Sequence, residues 1–439
     1  MKFAWDSYKN GSWGYDEWAP AYFIGKNWLG ALGLTIIDSL DTLHIMDMKD
    51  ELYDGREWLS NLKYSNTTGH EISVFEFNIR YLGGCLAMYD LTGDVVYLEK
   101  AVEFGDLLML AFSDSFPFPY AFLNIKTKYA RNKGGNCLVL AMFGTMSLEF
   151  TRLSDLTGDS KYKDRVDIIL DSLAKMKTKY NGLYPCMVSM DATEFCYSSI
   201  SLGAKGDSFY EYLLKMWIYT DGEEKYSRLF VASADSIIKY LYRVTKAGHG
   251  FIGKIKDDRL EELNEHLTCF AGGMFALASV TNITGNTEKN EIYMQVAKEI
   301  TKTCVQSYFK SPTGLGPEIF KFDPVTGEIL LNDVNLYILR PETIESLFIL
   351  YRLTGDIIYQ EWGWKIYKSI ELHCRVPNGY IGLKNIITGF KGTTQQSYFM
   401  SETLKYLYLL FVDSSIIPLD KYVFNTEAHP IKIKYNNSN

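Results

Sequence analysis

Apolar residues along this chain return at intervals of three and four, and short polar breaks interrupt them at a nearly constant period. The breaks share a pattern: LTGDVVY at 91–97, LTGDSKY at 156–162, YTDGEEKY at 219–226, NITGNTE from Asn282, and LTGDIIY at 353–359. Their glycines, Gly93, Gly158, Gly222, Gly285 and Gly355, follow one another by 65, 64, 63 and 70 residues. That period exceeds those of the usual solenoid repeats and suits two helices with two connections. Each break carries the chemistry of one helix closing and another opening. Glycine takes the left-handed conformation that ends a helix, and the acid or amide after it can satisfy the free amides of the next. Ile79, Leu82, Leu86 and Tyr89 mark the apolar face before the first break, and Leu98, Val102, Gly105, Met109 and Phe112 the face after it. The unit is a helical hairpin.

At roughly 65 residues per hairpin, 439 residues hold nearly seven, enough to close a ring. The pattern therefore predicts an all-α toroid, with an open superhelix of hairpins as the competing architecture. Gly83-Gly84 and Gly272-Gly273, just upstream of two breaks, would let helices crowd at an axis. No Pro-rich or Ser-rich linker divides the chain, so residues 1–439 read as one domain. Composition agrees, since 47% hydrophobic and 15% aromatic residues are ample for a large core.

A net charge of −8 argues against nucleic acid and allows neutral, hydroxyl-rich ligands or cations. No run of about 20 apolar residues occurs, and Met1 leads directly into Lys2-Phe3-Ala4-Trp5-Asp6, so no signal peptide or membrane anchor is visible in this chain. Seven cysteines leave at least one thiol free and show no close-set metal pattern. Cys269 and Cys304, 35 residues apart, could close a loop worth about 3–4 kcal/mol. Sequons at Asn10, Asn66, Asn282 and Asn436 permit a secretory history at a frequency near chance.

The chemical signal lies in the spacing of acids from the breaks. Glu76 precedes Gly93 by 17 residues, Asp207 precedes Gly222 by 15, Glu342 and Glu345 precede Gly355 by 13 and 10, and His266 precedes Gly285 by 19. Each sits about one helix, roughly 15–28 Å, upstream of its turn. If the first helices of the hairpins line the ring, these groups gather at one mouth. Such a mouth suits glycoside hydrolysis, which needs one carboxyl protonated and another ionised. Crowding raises some of these pKa values while cations and helix N-termini lower others, so one site can hold both states. Any single acid here could equally cap a helix. Asp38 and Asp41, three apart in TIIDSLDTL, could cap or serve a site. The tryptophans in AWDSY and WGYDE read as core packing of a first helix, with sugar stacking as the alternative. Thr426, in FNTEAHP, sits between Asn425 and Glu427 and offers oxygens to a hard cation, though no EF-hand spacing is present.

FEFNIRYLGG at 75–84, GDSFYEYLLK at 206–215, HLTCFAGGM at 266–274, RPETIES at 340–346, SETLKYLYLLF at 401–411 and FNTEAHP at 424–430 together resemble the class I α-1,2-mannosidases of glycoside hydrolase family 47. The resemblance covers nearly the whole chain in order. It implies an (α/α)7 barrel with calcium at its floor and inverting removal of terminal α-1,2-linked mannose from high-mannose N-glycans on glycoproteins, by a monomer in the lumen of the endoplasmic reticulum or Golgi. It makes Glu76 the general acid, Glu342 the base and Asp207 the third acidic residue. Thr426 would contact calcium, and Glu345, Glu402 and Glu427 would hold its waters and sugar hydroxyls. Arg80, Arg340 and His266 would border the sugar, and Tyr398 would pack under its ring where the family usually has phenylalanine. Cys269 and Cys304 match the family's disulfide. Two positions depart. Met142 stands where the family commonly has glutamate, and Lys205 stands where endoplasmic-reticulum members carry arginine and Golgi members smaller residues. The alternative implied is a glycan-recognising degradation factor that binds mannose glycans with weak or no hydrolysis.

Overall fold

The computed structural model describes residues 1–67, 71–331 and 334–434; the sequon at Asn436 lies outside them. Its longer helices are α1 (Lys2–Ser12), α2 (Leu34–Ile45), α3 (Lys49–Asn61), α4 (74–92), α5 (Val95–Met109), α6 (Ser147–Thr157), α7 (Lys161–Lys175), α8 (Asp207–Tyr219), α9 (Glu224–Ser236), α10 (Ala271–Val280), α11 (Thr287–Lys310), α12 (Glu342–Thr354), α13 (Ile358–His373) and α14 (399–411). The repeated breaks are the tight turns between them. Gly93, Gly158 and Gly355 end α4, α6 and α12 in the left-handed conformation, at φ 69°, 73° and 68°. Asp94 then accepts from the Val96 N–H at 3.1 Å, and Asn286 caps α11 through Lys289 N–H at 3.0 Å.

The even-numbered helices form the inner wall. Helix α2 packs on α4, α4 on α6, α6 on α8, and so on through α14, which returns to α2. The ring is thus closed, and the open superhelix is excluded. Helices α3, α5, α7, α9, α11 and α13 lie outside, each packed on the inner helix before it. The seventh outer place falls to α1, tied to α3 by Lys2–Glu51 at 2.6 Å and by Lys9–Asp54, with Arg375 over the Phe3 ring on its other side. Trp5 is fully buried there, in line with core packing. On α5 the buried residues are Tyr97, Ala101, Phe104, Gly105, Leu107 and Leu108, of which only Gly105 belongs to the expected set. Leu98, Val102 and Met109 are partly buried and pack against the core, and at Gly105 the helix comes so close to α6 that an added Cβ would lie 2.3 Å from Leu153.

The two ends of the ring differ. Tight turns occupy one end. At the other, long connections carry short β-hairpins, such as 71–73 with 122–124 and 129–131, which the helical period did not predict. The C-terminal hairpin, Tyr422–Phe424 with Pro430–Lys432, packs on α4 and α8 and drives its five-residue tip into the barrel. Gly83 makes room for that tip: an added Cβ would lie 2.4 Å from the Asn425 amide nitrogen. Two disulfides are present. Cys269–Cys304 was expected; Cys137–Cys196 was not, and Cys85, Cys186 and Cys374 are buried thiols.

Candidate active site

Because every inner helix starts at the same end, the acids in their first turns converge. Glu76 lies in the first turn of α4, where the Ser73 hydroxyl accepts its N–H at 3.4 Å, and Asp207 and Glu342 open α8 and α12. They line one cavity of about 360 Å³ with Arg80, Met142, Lys205, Glu211, Arg340, Glu345, Tyr398, Glu402, Thr426 and Glu427. Both positions that depart from the family, Met142 and Lys205, are therefore in its wall. Among the sequence-predicted site residues only His266 stands behind the wall, 2% exposed, with Nδ1 2.8 Å from Glu342 Oε2 and Nε2 2.6 Å from the Tyr308 hydroxyl.

Arg80 holds one side of the cavity together. Its Nε donates to Glu76 at 2.8 Å and its Nη1 to Ser397 at 3.0 Å, to Asp38 at 3.3 Å and to Glu427. A π-turn over Asn78–Leu82 carries it inward. Arg340 is held by Glu318 at 2.7 and 2.9 Å and lies 3.5 Å from Glu342. Tyr398 donates its hydroxyl to Ile338 O at 2.7 Å, which fixes the ring in the wall.

The carboxyls divide by surroundings. Burial pushes Glu342 up, but Arg340 and His266 outweigh it and leave the group below the usual glutamate range, hence ionised. Burial raises Asp207 to about 7, with Glu211 adding to the rise. Burial and Glu211 raise Glu345 to about 8, and burial pushes Glu402 and Glu427 well above the ordinary value, with Glu342 and Asp38 as the respective acidic neighbours. One cavity therefore holds a carboxyl shifted towards its ionised form beside others shifted towards the protonated form.

Several residues of this region were not singled out beforehand. Glu211 and Lys215 form an ion pair on α8, and Lys215 donates to Asn425 O at 3.2 Å. Their signal was the spacing of four from Asp207 through Glu211 to Lys215. Asn425 shapes the hairpin tip: its Oδ1 accepts from Glu427 and His429 N–H at 2.9 and 2.8 Å, and its amide donates to Ile79 O and Glu149, both at 2.8 Å. Asp38 and Asp41 neither cap α2 nor line the cavity. They are fully buried mid-helix, where His429 bridges Asp41 at 2.9 Å and Asp38 at 3.3 Å, and Lys405 donates to Asp41 at 2.8 Å and to Ala428 O at 2.6 Å. Among the described residues, no group of three or more His, Cys, Asp or Glu side chains is disposed to hold a metal ion directly, and no helix is long and apolar enough to cross a membrane.

The model of glycosyl hydrolase family 47 matches residues 1–433. Mannosyl-oligosaccharide alpha-1,2-mannosidase IA of Drosophila melanogaster is 44% identical, covering 100% of this chain and 67% of the relative. Mannosyl-oligosaccharide 1,2-alpha-mannosidase IB of Mus musculus is 42% identical over 99% of this chain and 68% of its own. The chain thus spans about two thirds of the length of these curated relatives. The solved alpha-1,2-mannosidase from Trichoderma reesei superposes with a TM-score of 0.91 at 29% identity, covering 99% of this chain and 97% of that one. Cellobiose 2-epimerase from Spirochaeta thermophila, at 11% identity and TM-score 0.63, shares the fold alone.

Proposed function

The chain belongs to glycosyl hydrolase family 47, and from that premise we propose that it is an inverting exo-α-1,2-mannosidase that trims terminal mannose from high-mannose N-glycans. The observation that carries this reading is the convergence of Glu76, Asp207 and Glu342 on one cavity, with Arg340 and His266 against the Glu342 carboxyl. Glu342 takes the proton from the water that attacks the anomeric carbon, and His266 and Arg340 keep it charged for that task. Glu76 delivers a proton to the leaving oxygen, directly or through a water, and Arg80 fixes its carboxyl. Asp207 stands at the third acidic position, with a proton available up to about pH 7. Tyr398 supports the ring of the bound mannose.

Calcium fits this chemistry. Glu345, Glu402 and Glu427 crowd a buried floor where burial disfavours their charged forms, so a cation among them would be strongly stabilised. Thr426, at the hairpin tip, would give it carbonyl and hydroxyl oxygens while the three glutamates hold its waters. Bound there, calcium would neutralise the floor and orient vicinal sugar hydroxyls. The reading takes residues 1–439 as one monomeric catalytic domain, supported by a hydrophobic cluster running from Ala4 to Ile433. It places the enzyme in the lumen of the endoplasmic reticulum or Golgi, supported by two disulfides, which persist in oxidising compartments.

Incubation with a labelled nine-mannose N-glycan, with calcium and with chelator, tests the proposal. Calcium-dependent loss of mannose supports it, and the isomer formed reports branch preference. Binding without trimming would favour the glycan-recognition reading, with Met142 in the wall as its cause.

A further inference from the structure

Cys137 and Cys196 join two connections at the mouth, 110–146 between α5 and α6 and 176–206 between α7 and α8. Each cysteine borders exposed chain. Lys133-Gly134-Gly135-Asn136 precede Cys137 in the open, where a Cβ added at either glycine would meet nothing within 4 Å, and Tyr197, 64% exposed, follows Cys196. The two bridges thus differ in access. Cys269 and Cys304 are each 1% exposed, whereas Cys137 and Cys196 are only half-buried.

The accessible bridge holds part of the cavity wall. Strand 137–139 pairs with 187–189 over three residues and runs directly into a short helix over 140–144. Val139, Ala141 and Met142 of that segment line the cavity, as do Ala204 and Lys205 at the end of the second connection. Backbone bonds link the two segments: Leu140 N–H to Cys186 O at 2.9 Å, Ala141 N–H to Lys205 O at 3.0 Å and Met190 N–H to Asn136 O at 2.7 Å. Cys196 N–H adds a bond to Met187 O at 2.9 Å. Pairing of so few residues is marginal in water, and the covalent link closes the assembly at its exposed edge.

On the mannosidase reading above, we infer that the Cys137–Cys196 bridge positions this wall for the glycan, and that a dithiol reductant, by opening it, weakens glycan binding. Glu76 and Glu342 start inner helices that the bridge does not join, so the effect falls on binding rather than on turnover. Reduction is a two-electron exchange. A thiolate of the reductant attacks one bridge sulfur, the S–S electron pair leaves on the other, and that thiolate takes up a proton. The reductant's second thiol gives up its proton and displaces the attached protein sulfur, closing the reductant to a cyclic disulfide and leaving two protein thiols. Cys85, Cys186 and Cys374 are buried and burial raises all three thiols, so the attacking thiolate comes from outside the protein.

The test compares the parent protein, the parent treated with dithiothreitol, and C137S/C196S. Thiol labelling read by mass spectrometry should find Cys137 and Cys196 opened while Cys269 and Cys304 stay joined; opening of the buried pair first overturns the redox part. On the nine-mannose glycan, reduction and the double variant should each raise KM about five- to tenfold and change kcat less than twofold, and reoxidation should restore the parent KM. A lowered unfolding midpoint with unchanged KM gives the bridge a structural role only and overturns the inference. Should C137S/C196S fail to fold, reduction and reoxidation of the folded parent carry the same test. Glycan titration of E342Q, oxidised and reduced, separates this question from turnover: Kd should rise about five- to tenfold on reduction. If the parent does not trim but reduction still raises Kd, the hydrolase reading fails and the positioning role stands. Equal Kd values remove that role whatever the activity.

Discussion

Replacing Lys405 by methionine should destabilise the protein by about 3–5 kcal/mol, because it leaves Asp41 charged with half its partners gone. Lys405 and Asp41 are both fully buried, 2.8 Å apart, and the ammonium also holds Ala428 O at 2.6 Å. At that separation and an effective dielectric of about 20, the gross attraction is on the order of 6 kcal/mol, much of it offset by desolvation of both ions. What the variant exposes is the uncompensated remainder, against a total stability of about 5–15 kcal/mol. Guanidinium unfolding would measure it. K405M/D41N should recover part of the loss, since the stranded charge is then absent. The pH dependence has a definite sign. Burial pushes Asp41 up, but Lys405 and His429 overcome it, so its folded pKa is lowered. Its stabilisation is present above the unfolded value of about 3.9 and disappears as pH falls towards the folded one. K405M should therefore lose less stability on acidification than the parent. A cost below about 1 kcal/mol for K405M, or a double variant no better than the single one, would refute the reasoning.

E342Q should lower kcat by about a hundred- to ten-thousandfold while glycan Kd stays within a factor of a few; steady-state rates and titration check the two halves separately. Burial lifts Asp207 to about 7, so its proton is present below that pH and lost above it. If turnover uses that proton, kcat/KM falls through an alkaline limb near pH 7 that D207N removes, and a profile flat between about pH 6 and 8 argues against the role. G272A should cost about 1–3 kcal/mol in guanidinium unfolding, because its Cβ would fall 2.1 Å from Thr301 Oγ1 and 3.0 Å from Ser346 Oγ where α10, α11 and α12 meet. G93A, with no atom within 4 Å, should show only the cost of its left-handed backbone, about 1 kcal/mol.

The architecture was readable because it is local. Left-handed glycines and helical spacing recur at a nearly fixed period, which gives the hairpin and nearly seven copies of it; the closure that excludes an open superhelix comes from the packing of α14 on α2. The acids were readable as a group for the same reason, each being about one helix from its turn. What escaped has long range or short length. The Asp41–Lys405 pair joins positions 364 residues apart, and the Asp41–His429 contact spans 388, so no window of sequence contains either. The Cys137–Cys196 bridge spans 59 residues with no distinctive spacing. The mouth hairpins have strands of two to four residues, too short for an alternating pattern to stand out. The resemblance sets His266 at the border of the sugar, whereas the structure sets it behind Glu342 rather than in the wall.

Arg80 connects the buried polar floor to the chemistry. Its guanidinium meets Asp38 of the floor, Glu427 of the hairpin tip and Glu76 of the proposed proton relay, and it lowers the pKa of Asp38 while opposing the rise in Glu427. Glu427 keeps a raised pKa in spite of that contact, because burial and the adjacent Asp38 and Glu402 outweigh one cation. Arg80 alone therefore offsets only part of the charge of these buried carboxyls, in line with the calcium proposed for the cavity floor. If calcium binds at the Thr426 tip as proposed, the Asp38–His429–Asp41–Lys405 cluster positions that tip from beneath. Weakening it should reduce calcium affinity even though no member of the cluster lines the cavity. A calcium titration of K405M, read by calorimetry, would show that loss as a raised Kd; an unchanged Kd in folded protein would confine the cluster to stability alone.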